Sequence, residues 1–355
     1  MCTSLTYTNS HGGHFLARTM DFNVDFETRI MFMPRHYRVT GDLGDFTTTY
    51  GFIGAGRQLN HEIFTDGVNE CGVSIAALYF PNHAIYQPHS NQDKIDLAPH
   101  DFVAWVLGKI TSVADLRERV KDVQLISSTA ELINEIPPLH FIISDQTGET
   151  AVLEPTSGEL RLLNNPVGVL TNSPNLKWQL QNLSKYGTLT NTERPLNKFI
   201  NYQPGSQGPG TGALGLPGDY TSMSRFARTV FLKHYAQVPA TTTDTVNLLQ
   251  HILNAVTIPK GAKVAANGQA TYTEYRSYMD LNHQTYALEL YENPGVIQQV
   301  NLTDHLLEKQ TVPLEYVLSR TPHVQLLTPM LPPCQRPIKT FRKAVTQKSL
   351  HHKSS

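Results

Sequence analysis

Strand-like and helix-like stretches of this chain are grouped in blocks, and that grouping restricts the fold more than any other feature. The first third reads as strands: "CTSLTYT", then "HFLARTMDF" after a His-Gly-Gly turn, and "TRIMFMP" up to Pro34. "TTTYGFIGAG" ends in glycines, and "DGVNECG" reads as a turn delivering "VSIAALYF". Two helices follow in "PHDFVAWVLGKI" and "SVADLRERVKDV", the second with Ser112 placed to cap it. A second strand block runs "LHFIISD", "TAVLEP", "ELRLLNN" and "VGVLTN". Helical periodicity returns in "SRFARTVFLKHYA" and "TDTVNLLQHILNAV", and the last strands are "TYTEYRSYMDL", "QTYALELYE" and "VIQQVNL". Repeating βαβ units would alternate strand and helix singly. Segregated blocks instead predict an α+β protein with two sheets and helices packed outside them.

No internal repeat and no composition break interrupts the chain before about residue 322, so one domain is expected over 2–325. The glycine- and proline-rich "YQPGSQGPGTGALGLPGDY" lies inside it and reads as a functional loop rather than a linker. After Cys334 come six Lys or Arg and no Asp or Glu, so residues 326–355 are expected to be a basic, disordered tail. Over the whole chain the net charge is −1, which gives no reason to expect nucleic acid as a partner. No apolar run reaches the roughly 20 residues that cross a bilayer, so no membrane span is expected. The start "MCTSLTYTN" has neither the basic nor the apolar region of a secretory signal. Cys2, Cys71 and Cys334 are odd in number and far apart, which suits reduced thiols and predicts a cytoplasmic protein. His11 and His14 have a ligand-like gap, but no further ligand pattern completes a metal site, and none is expected.

Cys2 is the candidate nucleophile, although a cysteine in second place is more often only the start of a frayed terminus. Removal of Met1 would leave a thiol and a free α-amine on one residue. Their reference pKa values, about 8.5 and about 8, are close enough for the amine to serve as the nucleophile's own base. Such a terminus must be pinned in a strand, with a cation for the thiolate, a carboxylate for the amine and donors for an oxyanion. "ARTMDF" offers Arg18 and Asp21. They are three residues apart and face opposite sides of a regular strand, so both reach one site only if the chain bends or ends there.

The opening "MCTSLTYT…FLARTMDF" resembles that of the choloylglycine hydrolases, the conjugated bile salt hydrolases and penicillin V acylases of the N-terminal nucleophile class. The likeness continues in family order through "TDGVNECGVSIAALYF", "VGVLTNSPNLKWQ", "GALGLPGDYTSMSRFAR", "ILNAVTIPKG" and "YTEYRSYMD", covering about residues 2 to 320. It implies a four-layer αββα sandwich of two antiparallel sheets, with Cys2 on a central strand. It also implies Cys2 as nucleophile, Arg18 near the sulfur and Asp21 as the carboxylate that orients the amine. Asn172 and the Tyr79 backbone N–H would be the oxyanion donors, and Arg225 would support the charge network. Cys71 stands where relatives often have lysine and reads as a small packed residue.

The resemblance implies hydrolysis of a linear, small-molecule amide by acyl transfer, with no cofactor and with a homotetrameric assembly. Tyr79, Ser173 and Trp178 resemble the penicillin V acylase branch, and Phe22 with Tyr79 would suit an aromatic acyl group. The expected activity is therefore penicillin V acylase-type, with conjugated bile salt hydrolysis as the alternative. A third reading is a non-catalytic binding protein on the same fold.

Overall fold

The computed structural model describes residues 2–157 and 159–327. Residues Met1–Pro322 form one compact unit. Of the expected tail, all but Leu326 and Leu327 lies outside the described residues, as do Met1 and Cys334.

Two antiparallel sheets build the domain. The six-stranded sheet runs in the order Val169–Leu170, β1 (Cys2–Thr8), β2 (His14–Phe22), Tyr272–Asp280, Thr285–Leu290 and Gln298–Asn301. The eight-stranded sheet begins Leu162–Asn164, Thr150–Leu153, Leu139–Ser144 and Ser74–Tyr79. It continues through Glu62–Asn69, Phe52–Gln58, Arg29–Met33 and Leu314–Tyr316.

Side chains alternate across the second sheet as the pleat requires. Ile53, Ala76, Leu78, Ile142 and Val152 join the core shared with the first sheet. Phe52, Ile75, Ala77, Phe141 and Ile143 pack on the other face around the helix Phe102–Lys109. The helices Ser222–Tyr235 and Thr242–Asn254 cover the outer face of the first sheet. This is the expected four-layer αββα sandwich.

Two local readings change. "DGVNECG" is not all turn: Asp66–Asn69 ends the strand Glu62–Asn69, and the reversal is confined to Glu70–Gly72, with Gly72 at φ 73°. Polar residues continue the strand because their side chains find buried partners. Asn69 Nδ2 donates to Leu107 O and Ile110 O, at 2.9 and 2.7 Å, closing the end of the helix Phe102–Lys109. In "SPNLKWQ", Asn175 accepts from Trp178 N and opens a helix over Leu176–Asn182 that hydrophobic periodicity did not announce.

The ladder between β2 and Tyr272–Asp280 shifts register between Thr273 and Tyr275, leaving Glu274 as the extra residue. Burial pushes its carboxyl up to about 8, with Asp25 and Asp21 adding repulsion against the help of the Phe26 N–H. The folded state therefore holds a proton there that the unfolded chain loses near its ordinary 4.5. Stability contributed by this protonated group is present below about 4.5 and is lost as pH rises toward about 8. Glu274→Gln is expected to flatten that slope and to raise Tm at pH 8 by about 2–4 °C. Parallel Tm–pH curves for parent and variant would disprove the assignment.

Candidate active site

Cys2 begins β1, paired with Met20 of β2, and is buried. Its two ends meet different partners. On one side Arg18 Nη2 donates to Cys2 Sγ at 2.7 Å and to Met20 Sδ at 3.0 Å. On the other, Cys2 N donates to Asn172 Oδ1 at 3.0 Å. Arg225, reaching in from the helix Ser222–Tyr235, donates to Cys2 O, Thr3 Oγ1 and Asn172 Oδ1, each at 2.6 Å. Its guanidinium lies 3.9 Å from Asp21 Oδ2, and Thr273 Oγ1 donates to Asp21 Oδ1 at 2.6 Å.

Arg18 and Asp21 therefore keep their opposite faces. No bend of β2 is needed, because the sulfur of Cys2 points to one side of the sheet and its backbone nitrogen is held from the other. That resolves the spacing problem.

Both arginines are fully buried. Burial alone would lower the Arg18 pKa, but Cys2, Tyr275 and Asp66 hold it above the ordinary value. For Arg225 burial wins over Asp21 and Cys2, and its pKa is lowered. The Arg18 guanidinium is thus a buried cation in direct contact with the Cys2 sulfur.

Asn172 follows the edge strand Val169–Leu170. Ser222 Oγ accepts from Asn172 N and donates to Asn172 O, both at 2.9 Å. The side-chain Nδ2 donates one hydrogen to Tyr79 O at 2.7 Å. A primary amide carries two hydrogens, so this bond brings the two expected oxyanion residues together and leaves Nδ2 a second hydrogen to give.

Sequence reasoning did not find Asp66. Its Oδ2 accepts from Arg18 Nη1 at 3.0 Å and Tyr275 OH at 2.7 Å, and its Oδ1 from Tyr286 OH at 2.5 Å and Ser277 Oγ at 3.1 Å. With Thr65 Oγ1 at 3.4 Å as the fifth, five side-chain donors converge on this one buried carboxyl group. His140 was missed too: its Nε2 is 2.8 Å from Thr171 O, and its ring stacks on Phe80 at 4.2 Å, bracing the segment before Asn172. Only the place of Asp66 inside "TDGVNECG" hinted at either.

Beyond the sulfur lies an almost wholly apolar cavity of about 110 Å³, lined by Cys2, Met20, Phe22, Ile63, Tyr79 and Leu139 among others. Phe22 and Tyr79 meet edge to face, centroids 5.4 Å apart. Trp178 lines neither this cavity nor the adjoining one, and is exposed on its helix. The helix begun at Asn175 carries it away. Ser173 donates to Pro81 O at 2.6 Å. Burial pushes the Cys71 thiol up to about 11, which suits a packed residue rather than a nucleophile.

Among the described residues, Asp42, His61 and His100 bring potential metal-ligand atoms within 4.8 Å of one another. Hydrogen bonds tie them together with Asp101, His100 Nε2 lying 2.8 Å from Asp42 and His61 Nε2 2.7 Å from Asp101, while the buried His100 Nδ1 has no hydrogen-bond partner. His11 and His14 belong to no such group among the described residues. No described helix is long and apolar enough to cross a membrane.

Residues 2–314 match the linear amide C–N hydrolases, choloylglycine hydrolase family. The chain belongs to that family.

Its likeness to other choloylglycine hydrolase family members is extensive. A bile salt hydrolase/transferase of Clostridium perfringens is 33% identical over 311 residues, spanning 86% of this chain and 92% of that protein. The crystal structure of the C2A mutant of conjugated bile acid hydrolase from Clostridium perfringens superposes with a TM-score of 0.82 at 30% identity, covering 92% of this chain and all (100%) of that one. A penicillin V acylase of Pectobacterium atrosepticum is 27% identical over 244 residues, spanning 60% of this chain and 64% of that protein. As a linear amide C–N hydrolase of this family the chain is an enzyme, which removes the non-catalytic reading.

Proposed function

We propose that the protein is a cysteine amidase of conjugated bile acids. The observation that carries the amidase reading is the sulfur of Cys2, which faces an apolar cavity while Arg18 holds it at 2.7 Å. Loss of Met1 frees the Cys2 amine, which takes the thiol proton as the sulfur attacks the amide carbon. The second hydrogen of Asn172 Nδ2 and the Tyr79 N–H receive the oxyanion. The ammonium, steadied by Asn172 Oδ1 and the Asp21–Arg225 pair, passes its proton to the leaving nitrogen. Water then cleaves the thioester and restores Cys2. None of these steps calls on a cofactor.

The choice of acyl group reverses the sequence-based preference for penicillin V. Greater identity and coverage favour bile salt hydrolases over the penicillin V acylase. The cavity beyond the sulfur is lined almost entirely by apolar side chains, which suits an apolar acyl group. The Phe22–Tyr79 pair is the observation that favours the second reading, an aromatic acyl group.

A panel of glycocholate, taurocholate, penicillin V and acyl-homoserine lactones separates them. Expected is a higher kcat/KM for the bile conjugates, by about tenfold or more. A tenfold preference for penicillin V would restore the second reading, and Tyr79→Asn should then weaken it. We further place the enzyme in the cytoplasm as a homotetramer, which light scattering of the purified protein would check for assembly.

A further inference from the structure

Asp42, His61 and His100 take no part in the chemistry above, and their positions follow no ligand motif along the chain. The fold alone gathers them. His61 immediately precedes the strand Glu62–Asn69, and His100 lies two residues before the helix Phe102–Lys109. Asp42 comes from the turn between Arg38–Val39 and Phe46–Thr47. That turn sits hard against Asp101: a Cβ on Gly41 would meet Gly44 O at 2.6 Å and Asp101 Oδ2 at 3.0 Å.

Asp101 holds two of the three in place. Its Oδ1 accepts from His61 Nε2 at 2.7 Å, and its Oδ2 accepts from Asp42 N at 3.0 Å. Since Nε2 gives its hydrogen to a carboxylate, the lone pair of a neutral His61 is on Nδ1. That atom lies 3.7 Å from Asp42 Oδ1, too far for one hydrogen to bridge the two. A metal ion spans such a gap, because ligand atoms on one tetrahedral zinc ion lie about 3.3 Å apart. His100 Nε2, 2.8 Å from Asp42 Oδ2, supplies a third ligand atom, and all three fall within 4.8 Å of one another. His100 Nδ1 is buried without a hydrogen-bond partner, so the ring can carry its hydrogen there and turn Nε2 into a lone pair without breaking any bond at Nδ1.

We propose that Asp42, His61 Nδ1 and His100 Nε2 form a binding site for a divalent zinc-class cation. Two imidazoles and one carboxylate suit zinc, whereas magnesium and calcium take oxygen ligands. Asp101 fixes the His61 tautomer from behind, as carboxylates do for metal-bound histidines. Asp42 is exposed while both rings are buried, so the ion enters at Asp42, where water completes its coordination. His100, Ile63, Val103 and Ala130 line the apolar cavity, and the ion would therefore brace the segments that wall it. The site goes beyond the amidase reading and depends on neither choice of acyl group.

Zinc titration of chelator-treated Cys2→Ala protein tests it, since the reactive thiol can no longer compete for the metal. Expected is one zinc ion per chain and a Tm raised by about 3–6 °C when free zinc is about a hundred times Kd, with no such rise from Mg²⁺. Asp42→Asn, added at an exposed position, should weaken zinc binding at least about tenfold and abolish the rise in Tm. His61→Gln should do the same, with circular dichroism to check its fold. His11→Gln, outside the cluster, should leave both readouts unchanged. Failure of the protein to bind zinc overturns the site. So does zinc binding that Asp42→Asn leaves intact, which would assign the ion to other ligands.

Discussion

Cys2→Ala protein is expected to lose turnover by a factor on the order of 10⁶, as removal of a covalent nucleophile does elsewhere. Its fold should survive. The substitution removes one small buried group, and Arg18 keeps Asp66, Thr19 O and Thr65 O as acceptors at 3.0, 3.1 and 3.3 Å. The buried cation is therefore not left alone, and a drop in Tm of only a few degrees is expected. Cys2→Ser should be nearly as inactive, because a hydroxyl beside the same arginine is far harder to ionise than a thiol. Intact mass of the active parent should show Met1 removed. Parent-like hydrolysis by Cys2→Ala, or full activity in protein that retains Met1, would place the chemistry elsewhere.

Asp66→Asn should have the largest effect of any change at a residue that does not touch the sulfur. The carboxylate is the ionic partner of Arg18 in a fully buried pair. Removing one member of such a pair costs about 3–5 kcal/mol, because the remaining charge stays buried and uncompensated. An asparagine also brings an NH₂ group among hydroxyls that now donate to an acceptor. Urea unfolding should show the loss, and kcat should fall with it as Arg18 loses its hold. Tyr286→Phe is the control. It deletes one donor to the same carboxylate but leaves the ion pair, so about 1 kcal/mol is expected. Equal costs for the two variants would mean that the charge of Asp66 is not what organises the site.

How much could be read without coordinates differs from residue to residue. Cys2 and the blocks of strand and helix follow from local chemistry: a thiol beside the terminus, period-two apolar patterns and a capping serine. Asn172, Tyr79 and Arg225 were reached through a resemblance in the order of short motifs, since nothing in their own neighbourhoods announces a role. Trp178, singled out by the same resemblance, lies exposed on the helix begun at Asn175 and does not line the cavity.

Sequence alone therefore determined what is local or ordered along the chain: the two-sheet class, the candidate nucleophile, and the arginine and aspartate that follow it. Tertiary structure decided what depends on distance across layers. It put Asp66, 48 positions from Arg18, against the same guanidinium, and Arg225 against a backbone carbonyl 223 positions away. It also let Arg18 and Asp21 work from opposite faces of one strand, where spacing seemed to demand a bend. The physical reason is that periodicity records which way a side chain points from its own strand, whereas the partner it meets is set by which sheet or helix is stacked there. Stacking is fixed by the packing of the whole core, in which no single stretch of sequence takes part alone.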